Sequence, residues 1–443
     1  MPSHVCYIVP PYLLQGIAES QELGEGERQA AVKCLQHREA FTNHRCERFA
    51  ALALPRAARN AALQASSQRK SIVPEVLLQN IVDSKDVDDD TKARALKDIE
   101  RMRHTTSAYQ KSITGEDEPK EAEEEEEEEE GTGADVGAAS AAKKPKKKPT
   151  ASGFYRAVHD AKNDEDEDNL PGVAVRVEGQ KPVEDEAANA AYDNIGKVLE
   201  FYLEKFKWKS IDNRNMHVVS TVHFAEKYEN AFWDPERNQM VFGDGDTFLY
   251  RFVNCIDVIG HELTHAITEH TSPLEYQGQP GALNEHVSDV FGIMIKQFVE
   301  NETAEAADWL IGEGCLLPDV KGVALRNMKD PGTAYNDPRF GKDPQPPHMD
   351  GYKKVTQDNG GVHLYSGIPN RAFCLASVAF GGYSWEKAGQ IWWKTMRSGR
   401  VPPRCTFIQF ADVTTEVAEE EFGDEAAKIV RAAWNEVGVA RKH

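Results

Sequence analysis

"VIGHELTHAITEHTSPLEYQGQPGALNEHVSDVFG", residues 258–292, decides how this chain is read. Its first half holds two histidines four apart, with a glutamate beside the first. On an α-helix, positions i and i+4 share a face, so His261 and His265 present two imidazoles one turn apart. That suits two coordination positions of one zinc ion, and Glu262 then stands beside the metal rather than on it. Taken alone, HELTH fits equally well a buried amphipathic helix that contains these residues by chance. The second half shifts the balance. Glu285, 20 residues after His265, lies on what reads as a second helix. Catalytic zinc commonly takes three protein ligands and leaves one position for water. Asp289, one turn further along the same face, can accept the other N–H of a ligand histidine and fix its tautomer. A solvated acidic face would also explain Glu285 and Asp289, but Leu283, Val287, Val290 and Phe291 surround them.

Outside this stretch the composition bounds the possibilities. The 443 residues allow two or three domains. The formal charge of −21 is concentrated in "EDEPKEAEEEEEEEE", residues 116–130, a like-charge run that repels itself and is expected to be disordered. This acidic balance argues against nucleic acid as a partner. The basic run "KKPKKKP" at 143–149 follows directly; such short runs match nuclear-import signals often by accident. Seven scattered cysteines, an odd count without close pairs, do not make a disulfide scaffold. No stretch approaches the ~20 apolar residues needed to span a membrane. The N-terminal "MPSHVCYIVPPYLL" lacks a basic leader and is broken by two prolines, so it does not read as a signal peptide. The expected location is therefore the cytoplasm, or the exterior by an unconventional route.

Along the chain, "IVPPYLLQGIAES" (8–20) and "IVPEVLLQNIVDS" (72–84) align at an offset of 64. Each precedes a charged helical stretch, which suggests a duplicated strand-like hook plus helix; chance similarity of two helix starts is the plainer alternative. Two copies are too few for a solenoid. Residues 1–115 are read as this N-terminal part, 116–150 as a linker, 151–290 as a β-rich lobe that includes the HELTH helix, and 291–443 as a helical lobe. "GVAVRVEG", "MHVVSTVHF" and "NQMVFGDGD" read as strands. "DEAANAAYDNIGKVLEFYLEKF", "SWEKAGQIWWKTMR", "CTFIQFADVTTEVAEEEF" and "DEAAKIVRAAWNEV" read as amphipathic helices.

The 258–292 stretch resembles the zinc core of the thermolysin-like metallopeptidases. Three further segments fit that family in the right order: "YENAFWDPERNQMVFGDGD" (228–246), "ALRNMKDP" (324–331) and "DNGGVHLYSGIPNRAF" (358–373). The resemblance covers about 152–443 and implies an α+β, two-lobed fold with the zinc helix at the junction. It implies a zinc endopeptidase acting on protein or peptide substrates, expected as a monomer. Residue by residue, it makes His261, His265 and Glu285 the zinc ligands, with Asp289 behind them. Glu262 becomes the general base that takes a proton from the attacking water. Tyr276 and His363 become donors to the oxyanion, with Asp358 orienting His363. Arg326 would grip a substrate carbonyl past the scissile bond, while Asn230 and the Ala231 backbone would hold the peptide as an added strand. Phe252, Val258, Ile311, Cys315 and Leu325 would line a pocket for bulky apolar residues on the amine side of the cut.

The sequence departs from relatives that bind paired calcium at one telling position. They carry a glutamate seven residues after the position of Asp289, where this chain has Lys296. An ammonium cannot ligate calcium, so no paired-calcium site is expected, and Lys296 should pair with Asp257 or Glu313. "CYIVPPYLL" (6–14) resembles the short propeptide of the protealysin branch, which implies a precursor whose own propeptide blocks the cleft. The Cys6 thiolate is a candidate zinc ligand there; a small buried apolar cysteine is the alternative. Two rival classes remain at this stage: a catalytically inactive peptide-binding relative of the same fold, and an interaction protein acting through its acidic tract.

Overall fold

A computed structural model describes residues 6–36 and 153–439, apart from 236, 247, 248 and 340. The second hook copy, the acidic and basic runs and the proposed linker lie outside the described residues.

Two sequence periods organise what is described. Short runs of alternating or wholly apolar residues make a mixed sheet of order β1-β5-β6-β4-β2-β3. Its strands are β1 (Cys6–Tyr7), β2 (Arg156–Asp160), β3 (Val173–Val177), β4 (Val218–Val222), β5 (Ala231–Asp234) and β6 (Gln239–Phe242). β4 runs parallel to both β2 and β6, while β5 and β1 continue the sheet antiparallel. The outermost strand on that side, β1, comes from the N-terminal segment and pairs Tyr7 with Phe232. Pro10 and Pro11 end this strand and open helix α1 (Pro11–Glu19), with proline where a missing N–H costs nothing. Residues 25–36 form a further helix, α2.

Helix α3 (Glu186–Phe206) starts where the Asp185 side chain accepts from the N–H groups of Ala187 and Ala188. It buries Ala188, Ala191, Ile195, Val198, Leu199 and Tyr202 at three-to-four spacing against the sheet and the next helices. After it come α4 (Ile256–Glu269) and α5 (Gly278–Glu300), the two halves of the opening quotation. These two helices touch through glycine. A Cβ on Gly260 would stand 3.2 Å from the Gly292 Cα and 2.8 Å from Ile295 Cδ1; one on Gly292 would stand 2.6 Å from the Asp257 carbonyl. Any side chain at either position would force the helices apart, so their close approach is written in two residues. The Tyr202 hydroxyl, 2.6 Å from Thr264 Oγ1, ties α3 to the same helix.

Helices α6 (Gln357–Tyr365), α7 (Gly367–Phe380), α8 (Lys387–Arg397), α9 (Phe407–Phe422) and α10 (Asp424–Glu436) complete the C-terminal part. The expected α+β order, a strand-bearing region followed by helices, is the observed one. α9 is opened by a capping box between Thr406 and Gln409. Trp392 and Trp434 stack at 6.1 Å in the core of the helical part.

Candidate active site

The helix pair brings the sequence-predicted ligands together. His261 and His265 sit on one face of α4 with their Nε2 atoms 2.9 Å apart. Glu285 reaches across from α5, 3.5 Å from His261 Nε2 and 3.9 Å from His265 Nε2. One ligand atom from each of the three lies within 4.8 Å of the others, and all three residues are buried. Two imidazole nitrogens and one carboxylate oxygen at these separations fit a zinc ion at about 2.0–2.2 Å from each. Glu262 supports the fit: both of its carboxylate oxygens are fully buried, with no hydrogen-bond partner of ordinary geometry among the described residues.

The ring orientations are fixed from behind. Asp289 Oδ1 lies 2.8 Å from His261 Nδ1, the contact the spacing anticipated. His265 Nδ1 meets Asn284 Oδ1 at 2.8 Å and Ser288 Oγ at 2.9 Å. Asp289 is itself held by Arg326, whose Nε and Nη2 donate to its two oxygens at 2.8 and 2.7 Å, and by the Asn370 amide at 2.8 Å. Sequence reasoning missed Asn284, Ser288 and Asn370. Asn284 and Ser288 fall on the α5 face that carries Glu285 and Asp289, which is the signal that could have found them.

The electrostatics follow from burial and these contacts. Burial pushes the Glu262 carboxyl up to about 8, with Glu285 adding to the rise against the pull of His261. Burial disfavours a charged His261, but the hydrogen bonds to Asp289 and Glu285 outweigh it and lift the imidazole to about 9. Burial and the charge of His261 push His265 down to about 3, which favours a neutral ring.

Around the cluster, the Tyr276 hydroxyl donates to Glu285 and lies 3.4 Å from His363 Nε2. His363 Nδ1 sits 2.7 Å from Asp358 Oδ1, and the His363 N–H donates to Asp358 Oδ2 at 2.9 Å. The backbone makes this possible. Asp358, Asn359, Gly360 and Gly361 all have φ between 49° and 81°, a left-handed run that Asp, Asn and Gly tolerate best. It folds the Asp358 carboxylate back over the ring five residues later.

The remaining predicted residues line up along the N-terminal segment. Asn230 Oδ1 accepts from Val9 N–H at 2.9 Å, and its amide donates to the Val9 carbonyl at 3.3 Å. The Ala231 carbonyl accepts from Ile8 N–H at 3.2 Å. Arg326 Nη1 donates to the Ile8 carbonyl at 2.9 Å. Phe252, Val258, Ile311, Cys315 and Leu325 are all at most 1% exposed and belong to the main hydrophobic core. Lys296 pairs with Glu313 at 2.8 Å, as anticipated, and with Asp308 at 3.0 Å, which was not. Asp257 instead accepts from Gly312 N–H at 2.6 Å. The expectation about the Cys6 thiol concerns a side chain outside the described residues.

Two family models match in succession: the thermolysin metallopeptidase catalytic domain over residues 86–269 and the thermolysin metallopeptidase alpha-helical domain over 272–439. An "Extracellular metalloprotease" of Pectobacterium carotovorum subsp. carotovorum is 47% identical over 296 residues, 67% of this chain and 84% of that protein. The chain belongs to the thermolysin metallopeptidase family. Protease PrtS of Photorhabdus sp. (strain Az29) is 44% identical over 65% of this chain and 77% of its own length. Thermolysin of Alicyclobacillus acidocaldarius is 39% identical over 58% of this chain and 46% of its own. Among solved structures, the precursor of protealysin from Serratia proteamaculans is 40% identical with a TM-score of 0.63, covering 84% of this chain and all of that one. A thermolysin-family chain with this buried two-histidine, one-glutamate cluster is a zinc metalloendopeptidase. Among the described residues no helix is long and apolar enough to cross a membrane.

Proposed function

We propose that this chain is the self-blocked precursor of the endopeptidase, and that its N-terminal segment lies where a substrate would lie. The observation that carries this reading is the set of four hydrogen bonds that tie the main chain of Ile8 and Val9 to the Asn230 and Arg326 side chains and the Ala231 carbonyl. They are the contacts expected for a peptide added as a strand to a sheet edge, and here the chain makes them to itself. Burying Ile8, Val9, Leu13, Leu14 and Ile17 adds about 1.5–3 kcal/mol for each side chain, an upper bound on what holds the segment down.

Zinc held by His261, His265 and Glu285 would supply a Lewis acid that activates water and polarises the scissile carbonyl. The chain's own residues do the rest. Glu262, its carboxyl raised towards neutrality by burial, accepts a proton from the attacking water and delivers it to the leaving amine. His363, held through Nδ1 by Asp358, and the Tyr276 hydroxyl donate to the oxyanion as charge develops. Asp289 holds both His261 and Arg326, so ligand geometry and substrate grip share one carboxylate. A pocket lined by Phe252, Val258, Ile311, Cys315 and Leu325 would favour bulky apolar residues on the amine side of the cut, with broad selectivity because one methylene is worth only about 1–3 kcal/mol. Lys296, ringed by Asp308, Glu313 and Asp257, supports the absence of paired calcium. Export is the reading favoured by the Pectobacterium relative, an extracellular metalloprotease.

The test is mass spectrometry of purified precursor incubated with and without a competing peptide substrate, alongside the Glu262→Gln variant. The wild-type chain should shed its N-terminal part and then cleave peptides before bulky apolar residues. Glu262→Gln should do neither while retaining stoichiometric zinc. Rapid cleavage by the intact chain, with its first residues still attached, would reject the self-blocked reading; a preference for charged residues after the cut would reject the pocket.

A further inference from the structure

Cys315, one of the residues expected to line the apolar pocket, has a second neighbour of interest in Cys255. They are 60 residues apart in sequence, yet their sulfurs lie 2.9 Å apart, with Cys315 donating to Cys255. Both are free thiols in the buried core, Cys315 fully enclosed and Cys255 8% exposed. Each holds a structurally consequential place. Cys255 is the N-cap of α4, the helix that carries His261 and His265, and its side chain makes no capping bond. Cys315 ends a short 3-10 turn, Glu313–Cys315, and its carbonyl accepts from Tyr250 N–H at 3.0 Å. The segment between the two cysteines contains all three metal-ligating residues.

We propose that Cys255 and Cys315 form a redox-linked pair, dithiol in a reducing compartment and disulfide in an oxidising one, that locks the metal-binding segment. A disulfide needs the sulfurs about 2.05 Å apart, so closure asks for a movement under an ångström along a contact already made. The more exposed thiol reacts first. Cys255, as thiolate, attacks a low-molecular-weight disulfide such as oxidised glutathione and releases one glutathione thiol. Cys315 then displaces the second glutathione from the mixed disulfide. One S–S bond forms, one is cleaved, and two electrons and two protons pass to the oxidant. Cross-linking a loop of this length constrains the unfolded chain most, so the oxidised form is the more stable. Cytosolic glutathione would hold the pair open and an exterior environment would close it.

The inference does not depend on which residues perform catalysis, and its readouts are mass and melting temperature rather than activity. The full-length chain, purified with reductant, is incubated folded with oxidised glutathione, then denatured, alkylated and peptide-mapped. The expected product is a Cys255–Cys315 cross-linked peptide, lighter by two hydrogens than the separate peptides. Its Tm should be higher by roughly 5–10 °C than that of the reduced chain. Reductant should reverse the shift, and Cys255→Ser should abolish it. Cys315→Val, which keeps the apolar volume, serves if the serine variant folds poorly. Recovery of both cysteines fully alkylated, arrest at a glutathione adduct on Cys255, or a cross-link that leaves Tm unchanged would each overturn the proposal.

Discussion

The candidate metal cluster and the residues that hold Ile8 and Val9 are neighbours, yet they satisfy their polar groups from different sources. Behind the ligands, Asp289, Asn284, Ser288 and Asn370 come from the same helical framework, and they fix His261 and His265 whether or not anything is bound. In the second set, Asn230, Ala231 and Arg326 find partners in Ile8 and Val9, residues more than 200 positions away in sequence. The first arrangement is permanent and preorganised. The second is made with the N-terminal segment of the same chain. Arg326 joins them, with two donors on Asp289 and one on the Ile8 carbonyl.

The contrast can be broken at several points, beginning where the effect is largest. Glu262→Gln should lower kcat on a peptide substrate by about 10²–10⁴-fold while zinc content, measured by atomic emission, stays at one per chain. Asp289→Asn attacks the permanent side. It should weaken zinc affinity about 10–100-fold in a competitive chelator titration and also raise KM, because Arg326 loses its anchor. A unitary defect confined to KM would mean that the two sides are not joined through this carboxylate. Ile8→Asp attacks the side made with the N-terminal segment. A carboxylate in the apolar cluster should loosen the segment, so the precursor should activate several-fold faster by time-resolved gel analysis, with zinc affinity unchanged.

The smallest effect lies away from both regions and serves as a control. His223 bridges Asp244 at 2.8 Å and Asp185, the cap of α3, at 3.0 Å. The Asp244 hydrogen bond, working against partial burial, leads in raising its imidazole to about 9, and Asp185 adds to it. A folded-state value above the ordinary His value of about 6.5 means that the bridge stabilises fully below that pH and is lost as pH rises through about 9. The Tm gap between wild type and His223→Gln should therefore be a degree or two at pH 6, as expected for a half-exposed ion pair, and should close by pH 10. A gap that widens with pH would reverse the assignment.

Much of this was legible in the sequence because it rested on local period. Histidines four apart must share a helical face, and Asp289, four after Glu285, had to fall behind the ligands. The strands at 173–177 and 218–222 announced themselves by β-branched runs, the one at 239–242 by a short apolar run before a Gly-Asp turn, and the later helices by apolar spacing. What escaped depended on tertiary choice. Asn370 approaches Asp289 from another helix, and nothing near position 370 says so. Asp308 joins Lys296 from a loop, where one acidic residue looks like any other. The Cys255–Cys315 contact was invisible because scattered cysteines carry no pairing information until the chain is folded. The left-handed run at 358–361 lay in between: Asp-Asn-Gly-Gly advertises unusual backbone, but not that it would bend a carboxylate onto His363.

The position of β1 has a last consequence, for the handling of the protein rather than its chemistry. While Cys6–Tyr7 is paired, β5 has neighbours on both sides. A chain stripped of its first residues would present β5 as a bare strand edge, with Phe232 and Trp233 on it, to every other molecule in solution. Such edges template intermolecular pairing and aggregation. The trimmed form should therefore keep poorly at high concentration, and a short peptide able to lie along β5 would serve as a storage additive.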